Sequence, residues 1–222
     1  MIGLEEQIEL FKLIGRELEE KVECFVIGGS AMLFYGLKSA TKDVDLVFIA
    51  DADRKQLVKT LENIGFEPKS YSIFKYEKAA ENKPLLMERK DTRFDLFLNE
   101  IISTKLSAGI KGRITQKHEF SNFIVNTVSP EDIILLKCAT ERAGDRKDAA
   151  DIIKSRKIDW DTIINEALWQ TEHGKRVFTV YLFDFMMELK EDYKLDIPTE
   201  HIKKITKLYE NEMMKIDESR KK

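Results

Sequence analysis

Cysteine and histidine are scarce in this chain, and each shortage removes a class of explanation. Of 222 residues, 2 are Cys and 3 are His. Cys24 and Cys138 both lie in apolar stretches, and two cysteines are too few for a disulfide-built fold, so buried thiols are expected. His118, His173 and His201 are scattered without the spacing of a metal site and are expected at the surface. No apolar run approaches the ~20 residues that cross a bilayer. The opening MIGLEEQIEL places acids where a signal peptide needs bases, so the cytoplasm is the expected location. Positive charge is not in excess either. With 37 Lys and Arg against 40 Asp and Glu, the net charge of −3 gives no global pull toward nucleic acid and leaves only local basic patches to consider. What remains is 43% hydrophobic and 35% charged, the balance of a globular chain with enough residues for one large domain or two small ones.

The most informative stretch runs from Cys24 to Ile49. An apolar run, Cys24 to Ile27, leads into Gly28-Gly29-Ser30; a short amphipathic segment follows, and Asp43-Val44-Asp45 opens a second apolar run, Leu46 to Ile49. The pattern predicts strand, glycine turn, short helix and second strand. Residues two apart in a strand share a face, with Cα atoms ~6–7 Å apart. Asp43 and Asp45 are therefore expected side by side, with Val44, Leu46 and Phe48 on the opposite, apolar face. Two carboxylates so placed repel unless a cation stands between them. The glycine turn, at a helix start, suits a phosphate, with the Ser30 hydroxyl as an added donor; the glycine pair by itself equally fits a tight strand-to-helix turn. It has neither the Gly-Lys-Ser/Thr ending of a P-loop nor the spacing of a dinucleotide turn.

Along the rest of the chain, apolar residues at Leu4, Ile8, Phe11, Ile14 and Leu18 predict a helix over Leu4 to Glu20. Asp51 to Ile64 reads as a second helix, capped by Asp51 or Asp53 and stopped by Gly65. Phe66 to Tyr76 is β-rich and broken by Pro68. Pro84 to Glu88 and Arg93 to Leu98 are expected to pair as strands, Ile101 to Lys111 is ambiguous, and Ile114 to Glu119 with Phe123 to Val128 predict a hairpin around Ser121-Asn122. Asp95 stands out as a carboxylate inside the aromatic-rich Arg93-Phe94-Asp95-Leu96-Phe97, where strand statistics disfavour it. At Ser129 the texture changes. Ser129-Pro130-Glu131-Asp132 is a helix start, and helices are expected at 130–142, 145–156, 159–172, 174–193 and 199–217. The expected division is 1–128, mixed α/β, and 129–222, helical and packed against it. The aromatic set Trp160, Trp169, Phe178, Tyr181, Phe183 and Phe185 fits helix packing better than base stacking, and Lys203-Lys204 and the basic end read as solvated charge.

Three carboxylates on strands beside a phosphate-ready turn suit a pair of Mg²⁺ ions ~4 Å apart and in-line phosphoryl displacement. The spacing of Gly28-Gly29-Ser30, Asp43-Val44-Asp45 and a later strand Asp95 resembles the DNA polymerase β-type nucleotidyltransferase superfamily. Within it the chain looks most like the AbiEii-like (type IV toxin) enzymes and related bacterial and archaeal proteins. Thr41-Lys42-Asp43-Val44-Asp45 is similar to their Thr-x-Asp-x-Asp motif; Lys137, in Pro130 to Lys137, to their helical lysine; and Arg146 to Asp151 to their Arg-x-Asp-x-x-Asp element. The likeness covers residues 22–155. Two positions depart from it: Ser39 stands where Arg is frequent, and Lys147 is inserted between Arg146 and Asp148.

The resemblance implies an α+β nucleotidyltransferase fold, a small mixed sheet flanked by helices and followed by a helical C-terminal bundle. It implies transfer of a nucleoside monophosphate from an NTP to an acceptor hydroxyl, on tRNA or protein, with a cognate antitoxin as a partner and no membrane association. Asp43, Asp45 and Asp95 would bind Mg²⁺ (or Mn²⁺), Asp95 also taking the acceptor proton; Gly28, Gly29, Ser30 and Lys42 would hold the nucleotide; Lys137 would neutralise phosphate, and Asp148 would orient Lys137 or meet the acceptor. Plainer readings stand beside these, with Lys137 as a helix-surface charge and Asp148 paired to Arg146 or Lys147. At the level of function, Ser39 favours a catalytically degenerate nucleotide- or partner-binding member. A metal-dependent nuclease explains the carboxylates but leaves the glycine turn without a purpose.

Overall fold

The structure is a computed structural model that describes residues 1–69, 83–101, 103–140 and 142–220. Two compact units divide the chain, Met1–Ser129 and Pro130–Lys222. The fold is α+β, with a central mixed sheet and helices in the first unit and helices throughout the second.

In the first unit a two-residue strand, β1 (Ile2–Gly3), opens into α1 (Leu4–Glu17), whose apolar side buries Leu10, Phe11 and Ile14. Then come β2 (Val22–Ile27), α2 (Gly28–Phe34), β3 (Ala40–Thr41), β4 (Asp43–Phe48) and α3 (Asp51–Asn63). Next are β5 (Glu67–Pro68), β6 (Leu85–Arg89), β7 (Thr92–Leu98), β8 (Glu100–Ile101) and β9 (Thr104–Lys105). The unit closes with α4 (Ala108–Gly112) and the hairpin β10 (Gln116–Phe120) and β11 (Phe123–Thr127). The main sheet runs in the order β10-β11-β2-β4-β7-β6-β5, with β8 and β9 continuing from β7, while β1 pairs β3 apart from it. Two pairings are parallel, β11 with β2 and β4 with β7, and the rest are antiparallel. α1 packs on the β10–β11 hairpin, α2 on β2 and β4, and α3 on β2, β4 and β7.

The core of this unit is the continuous apolar run of the central strands. Val44, Leu46 and Phe48 on one side of β4 are fully buried, as the alternation predicted; so is Val47, on the side that carries the two aspartates. α3 differs from expectation at its start. Ala50 is the N-cap and makes no side-chain cap bond. Asp51 sits inside the first turn instead, where Arg54 and Lys55 bond its carboxylate at 2.6 and 2.8 Å and the helix dipole favours its charge. Its end is as the sequence indicated: Gly65 takes φ +88 and the Phe66 amide donates back to the Leu61 carbonyl, closing the last turn. The ambiguous 101–111 stretch resolves into the β8–β9 pair and the short α4, capped by Ser107. The β-rich reading of Phe66 to Tyr76 falls, beyond Lys69, outside the described residues.

The second unit contains α5 (Pro130–Cys138), α6 (Ala143–Ser155), α7 (Trp160–His173), α8 (Phe178–Glu191) and α9 (Thr199–Arg220). α5 ends four residues before its expected limit because Thr140 turns back. Both its amide and its hydroxyl donate to the Lys137 carbonyl, at 3.3 and 3.2 Å. Trp160, Phe178 and Phe185 are core residues here, in keeping with the packing reading. Cys24 and Cys138 are free and buried, and burial pushes the Cys138 thiol up to about 12. Among the described residues no helix is long and apolar enough to cross a membrane.

Candidate active site

The carboxylates converge because of strand register. Asp43 and Asp45 are the first and third residues of β4 and share a face, and β7 lies parallel beside it with Asp43 opposite Arg93 and Asp45 opposite Asp95. On the other flank of β4, Ile27, the last residue of β2, pairs with Asp45. The glycine turn that follows Ile27 is thereby delivered to the carboxylates. Three predicted ligands and the predicted turn thus meet at one end of the sheet.

The glycines are required by that closeness. Gly28 has φ +60, and a side chain there would place its Cβ 2.7 Å from Oδ2 of Asp45. A Cβ on Gly29 would collide with the Thr41 hydroxyl. Gly28→Ala is expected to cost about 1–3 kcal/mol, the strain of a left-handed alanine plus displacement of Asp45, read as a lower urea midpoint. Ser30 is fully buried, and its hydroxyl donates to the Asp43 carbonyl at 3.1 Å; Thr41 Oγ1 donates to the same carbonyl at 3.2 Å. In this arrangement the Ser30 hydroxyl ties α2 to the head of β4. Gln7 of α1, also fully buried, donates to the Ser30 carbonyl at 3.2 Å and braces the turn from behind. Lys42 is exposed beside Asp43.

The repulsion between carboxylates is answered by Arg93, which the sequence reading did not single out. Its guanidinium reaches Asp43 Oδ2 at 2.7 Å, Asp95 Oδ1 at 2.7 Å through Nε, and Asp95 Oδ2 at 3.2 Å. Partial burial works against the charge on Arg93, but the bond to Asp95 and the fields of Asp95, Asp43 and Asp45 outweigh it and raise its pKa above the ordinary value. A signal was present in the sequence. Arg93 and Asp95 are two apart on a strand and so share a face, but only the β4–β7 register brings that face to Asp43. The Asp95 side chain keeps 12% of its surface open to solvent, and that of Asp43 keeps 30%. The donor set, oxygen-only carboxylates on adjacent strands, fits a hard divalent cation in its chemistry. Among the described residues no group of three or more His, Cys, Asp or Glu is arranged to hold a metal, and Arg93 bridges Asp43 and Asp95.

Lys137 and Asp148 belong to the second unit, where they form a buried network. Lys137, 5% exposed, donates to Asp145 Oδ1 at 2.8 Å and to Asp148 Oδ2 at 2.7 Å. Asp145 also accepts from Thr140 and Arg142, at 2.5 and 2.7 Å. Lys137 is therefore not a helix-surface charge, and Asp148 pairs with it. Arg146 instead bonds Glu188 at 2.9 Å and lies over the Phe185 ring, and Lys147 pairs with Asp151 at 2.7 Å. Asp145, the second partner of Lys137, has no signal in the sequence, because its place depends on how α6 folds back on α5.

The model of a family described as nucleotidyltransferase of unknown function (DUF6036) matches residues 2–178. The chain belongs to that family. The matched residues include Asp43, Asp45, Asp95, Lys137 and Asp148. No curated protein matches the chain. Among solved structures, ANT(2″)-Ia, in complex with adenylyl-2″-tobramycin, is 14% identical with a TM-score of 0.50, over 75% of this chain and 98% of its own. JHP933 from Helicobacter pylori is 13% identical with a TM-score of 0.41, over 97% and 96% of the two chains. An antigenic nucleotidyltransferase-like protein from Paracoccidioides brasiliensis is 16% identical with a TM-score of 0.43, over 91% and 94%. The first of these likenesses supports the fold.

Proposed function

We propose that this chain transfers a nucleoside monophosphate from an NTP to an acceptor hydroxyl and releases pyrophosphate. The observation that carries the reading is the register setting Asp45 beside Asp95, with Asp43 on the same face and the Gly28–Ser30 turn at the end of the neighbouring strand. The acceptor oxygen bonds to the α-phosphorus, the bond from that phosphorus to the bridging oxygen breaks, and pyrophosphate departs. Asp95, the most buried of the three carboxylates, takes the hydroxyl proton. The backbone N–H groups of Gly28 and Gly29, with exposed Lys42 alongside, hold the phosphates. Mg²⁺ or Mn²⁺, held by Asp43, Asp45 and Asp95, would supply stabilisation of charge on the phosphoryl oxygens.

The acceptor proposed first is tRNA, in the setting of an AbiEii-like toxin with a cognate antitoxin, and a protein hydroxyl second. The support is the motif likeness of Thr41 to Asp45, Lys137 and Arg146 to Asp151. The test is incubation with each labelled NTP, Mg²⁺ and total RNA or protein. Pyrophosphate release with label entering one fraction is expected, and label on RNA names tRNA or another species directly. Shortened RNA without pyrophosphate points to a nuclease. A second reading has its own observation: Arg93 closes Asp43 and Asp95 together, which favours a member that binds nucleotide without chemistry. Calorimetric NTP binding without pyrophosphate release, for every NTP tried, selects it.

A further inference from the structure

We propose that Arg93 is a displaceable counter-cation, holding Asp43 and Asp95 together and yielding both when a divalent cation enters. The inference rests on the nucleotidyl-transfer reading of the same site. Its basis is which atoms Arg93 occupies. The guanidinium bonds Asp43 Oδ2 and Asp95 Oδ1 at 2.7 Å each, and these are oxygens that a cation between β4 and β7 would take. A lone pair that accepts a short charge-assisted bond is not offered to a metal, and a guanidinium held this close repels a dication, so the two compete for these carboxylates. Arg93 is also placed to leave. It is the second residue of β7, next to the Lys90-Asp91 turn, and its side chain keeps a third of its surface in water. The guanidinium can swing on its flexible stem without disturbing the ladder, because β7 is held by backbone pairing to β4 on one side and β6 on the other. The fork geometry matters as well. A guanidinium spans two carboxylates through separate nitrogens, which a lysine ammonium, a point charge, does less well.

The consequence is competition. Without the guanidinium, Asp43 and Asp95 lose the cation they share and bind a divalent cation more tightly; with it, cation entry works against two ion pairs. Arg93 thus offsets part of the negative charge of the site while weakening cation uptake.

The test uses the full chain without nucleotide. Mn²⁺ titration followed by electron paramagnetic resonance is expected to show Arg93→Gln binding the ion roughly tenfold more tightly than the wild type, from loss of a nearby positive charge. That alone would not separate displacement from long-range repulsion. In the wild type, therefore, the Arg93 Nε–H resonance, identified by its absence from Arg93→Gln, should shift or broaden as Mg²⁺ fills the site. A resonance that stays put at Mg²⁺ concentrations shown to load the protein overturns the proposal, as does equal Mn²⁺ affinity in the two proteins. If folded Arg93→Gln and wild type both fail to bind Mn²⁺ at millimolar concentration, the divalent-cation reading falls too, and with it the inference. Should Arg93→Gln not fold, Arg93→Lys carries the comparison, with tighter Mn²⁺ binding expected and unchanged binding overturning it.

Discussion

Asp45→Asn is expected to reduce NTP turnover, read as pyrophosphate release, by roughly a thousandfold, the several kcal/mol that loss of a carboxylate in a metal-assisted phosphoryl transfer represents. The argument depends on where Asp45 stands. It lies between Ile27 of β2 and Asp95 of β7 in the ladder, and its Oδ2 is packed so closely on Gly28 that no Cβ fits there. Asparagine keeps the volume and removes the charge, so the turn and strand register survive while the negative charge that would gather phosphate-bound cations is lost. Circular dichroism and the urea midpoint should stay close to wild type. Asp91→Asn, in the β6–β7 turn, is the matched control and should leave turnover unchanged. Turnover in Asp45→Asn equal to that of the control would remove the nucleotidyl-transfer reading of this site.

Lys137→Ala is expected to destabilise the second unit by about 3–5 kcal/mol, the cost of breaking a buried ion pair and leaving its partners uncompensated. Here two carboxylates, Asp145 and Asp148, lose the one ammonium that both contact. Thr140 and Arg142 still bond Asp145. Guanidinium unfolding of the full chain measures the effect. The triple change Lys137→Met, Asp145→Asn and Asp148→Asn should recover most of it, since replacing a whole buried network is cheaper than orphaning part of it. The same network makes stability pH-dependent. Burial raises the pKa of Asp145, but Lys137, Thr140 and Arg142 outweigh it, and the net shift is downward. A carboxylate with a depressed folded pKa contributes stability that is fully present above its unfolded value, ~3.9, and is lost as pH falls through the lower folded value. Acid should therefore weaken the wild type below pH ~4, and Asp145→Asn should lack that part of the acid dependence. A Lys137→Ala protein as stable as the wild type would show that the ammonium is not needed by the fold and would return it to the role of a phosphate ligand.

Much of the first unit was legible because the governing signals are local. Alternation in Asp43 to Phe48 sets which residues share a face, and Gly65 ends α3 because a left-handed position follows the last turn. Where local rules compete, they misled. Asp51 or Asp53 was expected to cap α3, but an aspartate in the first turn gains from Arg54, Lys55 and the dipole together, and the cap falls on Ala50. α5 stops early because Thr140 offers its hydroxyl and amide to the Lys137 carbonyl, and no periodicity announces such a turn.

By itself the sequence determined that the chain carries a glycine turn, two carboxylates on one strand face and a third on another strand, since turns and faces follow from neighbours within a few residues. Only the tertiary structure decided that Asp45 lies opposite Asp95, that Arg93 closes over Asp43, and that Lys137 is held by Asp145 as well as Asp148. Each of these depends on register or helix angle between segments up to fifty residues apart, and that is settled by how whole faces pack, not by any local spacing.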